Sequence, residues 1–442
     1  MKVGFISLGC AKNRVDTEIM IAVMKQAGHR ITNRLERADI IVINTCGFID
    51  AAKEEAINTI IDTGKYKAGQ LQYLVATGCL AQRYGQELLE QMPELDGVVG
   101  ISFFKEIDQA ISRIQKGERP YMVGRPPDIF IEKGPRVLTT PAGSAYLKIT
   151  EGCSNRCTYC SIPSIRGNLR SRPEVEIVEE AQGLVKRGVR ELVLIGQDTA
   201  VYGQDIGDPG LLHLLEQMAT IEGLEWIRLM YLHPAHIDDD LIEAAARLPK
   251  VLPYMDIPIQ HASDRMLMKM NRRHTLEQLD TLLGKLRERI AGLVLRTTVM
   301  VGFPGESDED FQQLLDFVRA TEFDWLGAFA FAAEEGTPAS LMPEQVSEEV
   351  KRERLNAVMQ IQQGITRQKN ELRVGRDEDI LISSKAGSNL YLGRAYFQAP
   401  EVDGLTMVKS QARLRPGSLV KARLIGIRDY DMIGEPFDEY SE

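Results

Sequence analysis

Short apolar runs alternate with amphipathic stretches in the first third of the chain. The runs VGFISL, ADIIVIN and QYLVAT are almost continuously apolar, which is typical of strands buried on both faces. Between the first two runs, Val15, Ile19 and Val23 recur at helical spacing, and Gly28 follows as a stop signal. The alternation predicts βαβ units and a parallel α/β domain over residues 1–117.

A second series of strand and helix patterns follows a segment that is rich in proline and glycine. We interpret that segment, residues 118–138, as a linker. Six strand candidates follow it in order: AYLKIT, ELVLIG, EWIRLM, YMDIPI, LVLRTTVMV and WLGAFAF. Because helical stretches separate them, they predict an incomplete (β/α)6 barrel over residues 139–370.

The pattern changes again at the end of the chain. The runs DILISS, NLYLGRAYF, TMVKS and LVKARLIGI are short, rich in β-branched or aromatic residues, and set off by Gly, Asp and Pro. Such spacing predicts a small antiparallel β-barrel over residues 373–440.

The composition is that of a globular protein of several domains and disfavours nucleic-acid-coating and disulfide-rich classes. The 442 residues are 44% hydrophobic and 26% charged, as in ordinary globular proteins, and the length suits about three domains. There are 53 Lys plus Arg against 63 Asp plus Glu, a net charge of −10, which disfavours a protein that mainly coats nucleic acid. No apolar run resembles a signal peptide or a membrane span, so we expect a cytoplasmic protein without membrane contact. Its six cysteines are too few for a disulfide framework.

Three of the six cysteines lie close together in GCSNRCTYC, directly after the strand candidate AYLKIT. We call Cys153, Cys157 and Cys160 the loop cysteines; their spacing is Cys-x3-Cys-x2-Cys. Zinc normally takes a fourth Cys or His, and none lies in this stretch. The missing ligand favours an iron–sulfur cluster with one iron left open, while zinc and incidental thiols remain the alternatives.

The other three cysteines are far apart in sequence but share one position. Cys10, Cys46 and Cys79, here called the strand-end cysteines, each come directly after an apolar strand candidate. In a parallel sheet such ends lie along one edge, where open α/β sheets bind ligands. A second three-cysteine cluster requires that the thiols converge, and three structural cysteines are the alternative.

These motifs carry a family resemblance over essentially the whole chain. The loop-cysteine spacing resembles that of radical S-adenosylmethionine (SAM) enzymes, and the chain as a whole resembles their methylthiotransferases. The matching stretches are SLGCAKNRVDTE, NTCGFID, TGCLAQRYG, KITEGCSNRCTYCSIPSIRG, IPIQHAS, VGFPGE, APEVDG and DYDMIGE. The resemblance implies a flavodoxin-like N-terminal domain, a radical-SAM partial barrel and a C-terminal TRAM domain.

The resemblance also implies the chemistry. The loop cysteines would hold a 4Fe-4S cluster that cleaves SAM, and the strand-end cysteines would hold a second 4Fe-4S cluster that delivers sulfur. The resulting radical would abstract a hydrogen from the substrate, and a second SAM would supply the methyl group. No side chain is assigned as a catalytic acid or base. An electron donor and a sulfur source are required as partners, and we expect a monomer.

Candidate SAM contacts lie at strand ends of the predicted barrel. Gln197 and Asp198, in IGQDT, stand where many radical-SAM enzymes have a Gly-Gly-Glu stretch, from which this sequence departs. Gln260 ends the fourth strand, and Arg296 in the fifth could pair with the SAM carboxylate. The alternative for each is a hydrogen-bonded polar residue of the barrel interior. Near Cys10, Asn13 and Asp16 match the family motif, and the alternative is that they cap a helix.

Within the family, the motifs are most similar to the members that modify an aspartate of the twelfth small-subunit ribosomal protein. The alternative is a methylthiotransferase that acts on tRNA. From residue 373 onward ten Lys plus Arg face eleven Asp plus Glu, whereas a tRNA-binding domain should be more basic. Nucleic acid contact is therefore expected to be secondary, although Arg413, Arg415, Lys421 and Arg423 could form a local basic patch.

Overall fold

The computed structural model describes residues 1–437 and divides into two compact units. The first comprises Met1–Thr139, Thr150–Ser171 and Ala332–Ser340. The second comprises Thr140–Ile149, Arg172–Phe331 and the chain from Leu341 onward. The segment of the loop cysteines thus belongs to the first unit, although the sequence pattern placed residues 139–370 together. The last residues of the predicted terminal domain, 438–440, lie outside the described part.

The first unit is built on a parallel sheet with strand order β2-β1-β3-β4-β5-β6, which agrees with the predicted flavodoxin-like domain. Its strands are β1 (Lys2–Ser7), β2 (Arg30–Ile31), β3 (Ile40–Thr45), β4 (Tyr73–Gly78), β5 (Gly97–Val99) and β6 (Tyr121–Met122). Its longer helices are α1 (Ala11–Gln26), α2 (Asp50–Gly64), α3 (Cys79–Gln91) and α4 (Ile107–Gln115). Strand β6 lies inside the predicted linker and pairs with β5, so this part of the segment belongs to the sheet.

Burial explains why the apolar runs form the centre of this sheet. All six residues of β3 are buried, because helices cover both faces of a parallel sheet. Helix α1 is also buried along most of its length, including polar residues such as Asn13 and Asp16. The first unit further contains a two-residue ribbon between Thr150–Glu151 and Arg170–Ser171 and a short helix, Ile162–Arg166.

The second unit contains the predicted incomplete barrel, a parallel sheet with order β12-β11-β10-β9-β8-β7. Its strands are β7 (Ser144–Lys148), β8 (Glu191–Ile195), β9 (Trp226–Leu229), β10 (Val251–Asp256), β11 (Val294–Val301) and β12 (Trp325–Ala330). The helices are α5 (Glu174–Lys186), α6 (Leu211–Ala219), α7 (Asp239–Arg247), α8 (Asp264–Lys269), α9 (Leu276–Arg289), α10 (Asp308–Thr321) and α11 (Glu348–Glu371). Strand β10 begins three residues before the predicted run YMDIPI and ends two residues before Pro258, which cannot donate to a ladder.

The chain ends in a closed five-stranded barrel with order β13-β14-β15-β17-β16. Its strands are β13 (Asp377–Lys385), β14 (Leu390–Arg394), β15 (Thr406–Lys409), β16 (Leu419–Arg428) and β17 (Asp431–Pro436). The predicted small barrel is confirmed, although β17 was not predicted as a strand and pairs with β15 in parallel. Among the described residues, no helix combines the length and the apolar character that a bilayer span requires.

Candidate active site

The strand-end cysteines lie at the carboxyl ends of β1, β3 and β4, which are adjacent in the sheet. Cys10 is the N-cap of α1, and Cys79 is the first residue of α3. Gly9 lets the backbone before Cys10 pass close to Cys46, because a Cβ on Gly9 would lie 3.1 Å from the Sγ atom of Cys46. The strand-end cysteines therefore lie side by side at one edge of the sheet, as their positions after the strands predicted.

Two asparagines hold these strand ends together. The Asn13 amide donates to the backbone carbonyls of Leu8 and Thr45, at 3.1 and 3.0 Å. Asn44 in turn donates to the carbonyl of Asn13 at 2.7 Å. The alternative that Asn13 and Asp16 cap the helix is wrong, since α1 begins one residue after Cys10 and both side chains lie within it.

Arg166 joins the strand-end cysteines to the segment of the loop cysteines. Its Nε donates to the Sγ of Cys79 at 3.4 Å, and its Nη2 donates to Asn13 Oδ1 at 2.6 Å and Asp16 Oδ2 at 3.2 Å. Its Nη1 donates to Glu151 Oε2 at 2.6 Å. Sequence reasoning did not single out Arg166; its one available signal was its place in SIPSIRG, six residues after Cys160.

The strand-end cysteines affect the pKa values of one another's thiols. Desolvation raises the pKa of Cys79 to about 11, although the Arg166 charge lowers it and the charges of Cys10 and Cys46 raise it further. Desolvation also raises the pKa of Cys46, and the Cys10 charge adds to this effect. For Cys10, which keeps an exposed edge, desolvation is outweighed by the charges of Lys12 and Arg166, so its pKa is lowered. A nearby cation or metal cluster would stabilise the thiolate forms of these buried cysteines.

The loop cysteines lie in an irregular segment that backbone hydrogen bonds hold. The Cys153 amide donates to the carbonyl of Gly167 at 3.0 Å, and the Cys160 amide donates to that of Cys157 at 3.1 Å. All three side chains are half-buried. Within residues 1–437, no group of three or more His, Cys, Asp or Glu side chains is arranged to hold a single metal ion.

In the second unit, Asp198 is a hydrogen-bonded interior residue. It is buried, its Oδ1 accepts from the backbone amide of His233 at 3.3 Å, and its Oδ2 is 2.7 Å from Nδ1 of His236. His233 is the N-cap of a single 3-10 turn, Pro234–His236, in which His236 is the last residue, and the two rings stack with their centroids 4.8 Å apart. Gln197, the preceding residue, is half-buried just beyond the end of β8.

Gln260 and Arg296 have different surroundings. Gln260 has a left-handed backbone, with φ of 70°, and forms a parallel bridge with Val299. Such strain in a non-glycine residue is often found at functional sites. The Arg296 guanidinium lies 2.9 Å from Asp256 and 3.4 Å from Asp403, which raise its pKa although desolvation lowers it. Arg296 therefore already has two carboxylate partners within the protein.

Comparison with known proteins agrees with this arrangement. Models of the radical SAM superfamily, an uncharacterized protein family (UPF0004) and the TRAM domain match residues 147–318, 2–100 and 374–436. The chain is 57% identical over 437 residues to ribosomal protein uS12 methylthiotransferase RimO of Syntrophomonas wolfei, covering 98% of this chain and 100% of that protein. It is 47% identical over 441 residues to the RimO of Symbiobacterium thermophilum, covering 98% and 91%.

A solved structure supports the fold. The radical SAM methyltransferase TsrM from Kitasatospora setae, with cobalamin and a [4Fe-4S] cluster bound, superimposes with a TM-score of 0.57. The superposition covers 77% of each chain at 15% identity, so it bears on the fold alone.

A partial (β/α) barrel with three loop cysteines after its first strand defines a radical SAM enzyme. The chain belongs to the RimO family of radical SAM methylthiotransferases. Membership implies SAM and a [4Fe-4S] cluster, and it confirms the family, fold class and enzyme class that the motifs indicated.

Proposed function

We propose that this chain adds a methylthio group to the β-carbon of an aspartate in ribosomal protein uS12, using two SAM molecules and a sulfur donor. The observation that carries the proposal is the grouping of all six cysteines in one compact unit of a chain that is similar to RimO along its whole length. Two sets of three thiolates match a radical-generating cluster and a sulfur-delivering cluster, each with one iron left open.

In this proposal the loop cysteines hold the cluster that binds SAM, and the strand-end cysteines hold a second 4Fe-4S cluster. When bound, the clusters supply the electron that cleaves SAM and an iron site for the sulfur. The donor sets fit: Gly9 leaves room for Cys46, and the buried Arg166 offers a positive charge beside Cys79. Cys10, with a lowered pKa, readily provides a thiolate ligand.

We further propose that Gln197, Asp198, Gln260 and Arg296 contribute to SAM binding. Asp198 would act as a positioning residue, because its carboxylate holds the turn of His233 and His236. Gln260 is the strongest candidate for direct contact, since it combines a left-handed backbone with a place shortly after the end of a barrel strand. Arg296 would have to share its guanidinium with Asp256 and Asp403.

The terminal barrel favours a protein substrate over tRNA, the substrate of a MiaB-like enzyme. Of the four residues of the local basic patch, Arg423 is bonded to Asp377 at 2.8 Å and Lys421 lies 4.0 Å from Asp379. Paired charges have less capacity to displace counterions from a phosphate backbone. Nucleic acid contact through the barrel is accordingly secondary in this proposal. The enzyme would act in the cytoplasm as a monomer, with an electron donor and a sulfur source.

Mass spectrometry tests the choice of substrate. Reduced, reconstituted enzyme is incubated with SAM and either uS12 or tRNA. We expect uS12 to gain one methylthio group in place of hydrogen, and tRNA to stay unmodified. A uS12 variant with alanine at the modified aspartate is the matched control and should gain nothing. Modification of tRNA alone would overturn the assignment.

A further inference from the structure

We propose that Arg166 is a positioning residue that fixes the strand-end cysteines relative to the loop-cysteine segment and tunes the cluster that they hold. This inference rests on the proposed function, because it requires the second cluster. It goes beyond that function by assigning a role to an arginine that holds no iron itself.

The geometry links three separate segments through one side chain. Arg166 ends the short helix Ile162–Arg166, and its guanidinium contacts Cys79 at the start of α3 and Asn13 and Asp16 in α1. It also contacts Glu151, two residues before Cys153. A guanidinium has five N–H donors in a fixed planar fork, so these contacts define its orientation. Movement of any one segment would break a contact with the other two.

Burial increases the effect of this charge. The side chain of Arg166 is 2% exposed, and that of Glu151 is fully buried. Charges in such surroundings interact more strongly than charges in water. The carboxylates of Asp16 and Glu151 balance the charge of Arg166. Its Nε atom nevertheless donates to the sulfur of Cys79 and not to an oxygen. Hydrogen bonds to ligand sulfurs are among the factors that set the reduction potential of a cluster.

The direction of the effect follows from electrostatics. A positive donor beside a ligand sulfur favours the reduced cluster, which carries one more negative charge than the oxidised cluster. Loss of Arg166 should therefore make the second cluster harder to reduce. Lysine keeps the charge but not the planar fork, so R166K should lose positioning while it keeps part of the electrostatic effect.

A redox titration tests the proposal. In full-length protein with Cys153, Cys157 and Cys160 changed to alanine, paramagnetic resonance reports the second cluster alone. We expect R166Q to shift the one-electron reduction equilibrium at least tenfold, about 59 mV towards negative potential, and R166K to shift it less. The matched control is R136K. Arg136 is a similarly buried arginine of the first unit, and its ion pair is with Glu18 at 2.9 Å.

A second measurement uses the enzyme with both clusters. We expect R166K to retain SAM cleavage, while methylthio product per 5′-deoxyadenosine falls at least tenfold. If R166Q does not fold, the test rests on R166K, through the reduction potential of its second cluster and its ratio of methylthio product to 5′-deoxyadenosine. An unchanged potential and ratio would overturn the role of Arg166 alone. If the triple-cysteine variant with Arg166 intact held no cluster, the two-cluster function would fail, and this inference with it.

Discussion

The two compact units bury arginine in different ways. In the second unit, Glu191 accepts hydrogen bonds from both Arg228 and Arg394, so a single carboxylate joins strand β8 to β9 and to the terminal barrel. In the first unit, Arg166 has two carboxylate partners but also donates to the sulfur of Cys79. Glu191 thus pairs with protein charges, whereas Arg166 also contacts a cysteine that is a candidate cluster ligand.

The difference separates a structural ion cluster from a functional one. Removing one partner from a buried ion pair is costly because it leaves an uncompensated charge. For Glu191 that cost should appear as lost stability alone. Changes at the strand-end cysteines should instead appear as lost chemistry, and three predictions, ordered by size, would break or sharpen this distinction.

The largest effects are expected at the cysteines. Cys157→Ala should reduce SAM cleavage to background, because two loop thiolates are left to hold the cluster. Cys46→Ala should retain SAM cleavage and yet abolish methylthio transfer. Chromatographic assay of 5′-deoxyadenosine, with mass spectrometry of the substrate, measures both. Equal loss of cleavage in the two variants would contradict the division of labour.

The second prediction concerns the Glu191 cluster. Glu191→Gln should lower the free energy of unfolding by about 3–5 kcal/mol at neutral pH, since Arg228 and Arg394 lose their shared carboxylate. Desolvation raises the pKa of Glu191, but the two arginines outweigh it and lower the pKa from 4.5 to about 2. The stabilisation is therefore complete above about pH 4.5 and is lost as the pH falls through about 2.

Denaturant unfolding at several pH values measures this difference. The gap between native protein and Glu191→Gln should narrow as the pH falls below about 4.5. Asp377→Asn, which removes an exposed partner of Arg423, is the control and should change stability little. A gap that stays constant down to pH 3 would show that the carboxylate charge does not provide the stabilisation.

The smallest expected effect lies beside the strand-end cysteines. Gly78 has φ of 93°, and a Cβ there would lie 2.2 Å from Asn44 Oδ1 and 2.4 Å from the Thr45 carbonyl. Gly78→Ala should cost more than the roughly 1–2 kcal/mol of the left-handed backbone alone and should displace Cys79. Gly28→Ala, with φ of 85° and open space around it, isolates the backbone cost.

Iron analysis of the two glycine variants provides the second measurement. Gly78→Ala should bind less iron than Gly28→Ala after reconstitution, because Cys79 directly follows the displaced residue. Equal iron content and equal stability in the two variants would contradict the view that close packing at Gly78 places the thiol.

Much of the fold could be predicted because it depends on local patterns. The run IIVINT forms a fully buried strand because its apolar side chains suit both faces of a covered sheet. Strand β17 was missed because its sequence, DMIGEP, has little apolar character and its pairing with β15 is long-range. Strand β6 was missed because a two-residue strand has no periodicity to detect.

In the site, too, local sequence patterns could be predicted and long-range contacts could not. The loop cysteines could be recognised because eight consecutive residues contain the whole ligand set. Their membership of the first unit was not predicted, because it depends on contacts between Arg166 and residues about 150 positions earlier in the chain. Arg296 gives a second example, since its contacts with Asp256 and Asp403 join positions that are far apart in the sequence.

By itself the sequence determined the parallel and barrel domains, the two sets of three cysteines and the family. These features depend on spacing along the chain, which the sequence states directly. Only the tertiary structure decided that β1, β3 and β4 are neighbours, which places the strand-end cysteines side by side, and that Arg166 lies beside Cys79. The physical reason is that sheet order and the burial of a polar side chain arise from contacts between distant segments, which no local pattern encodes.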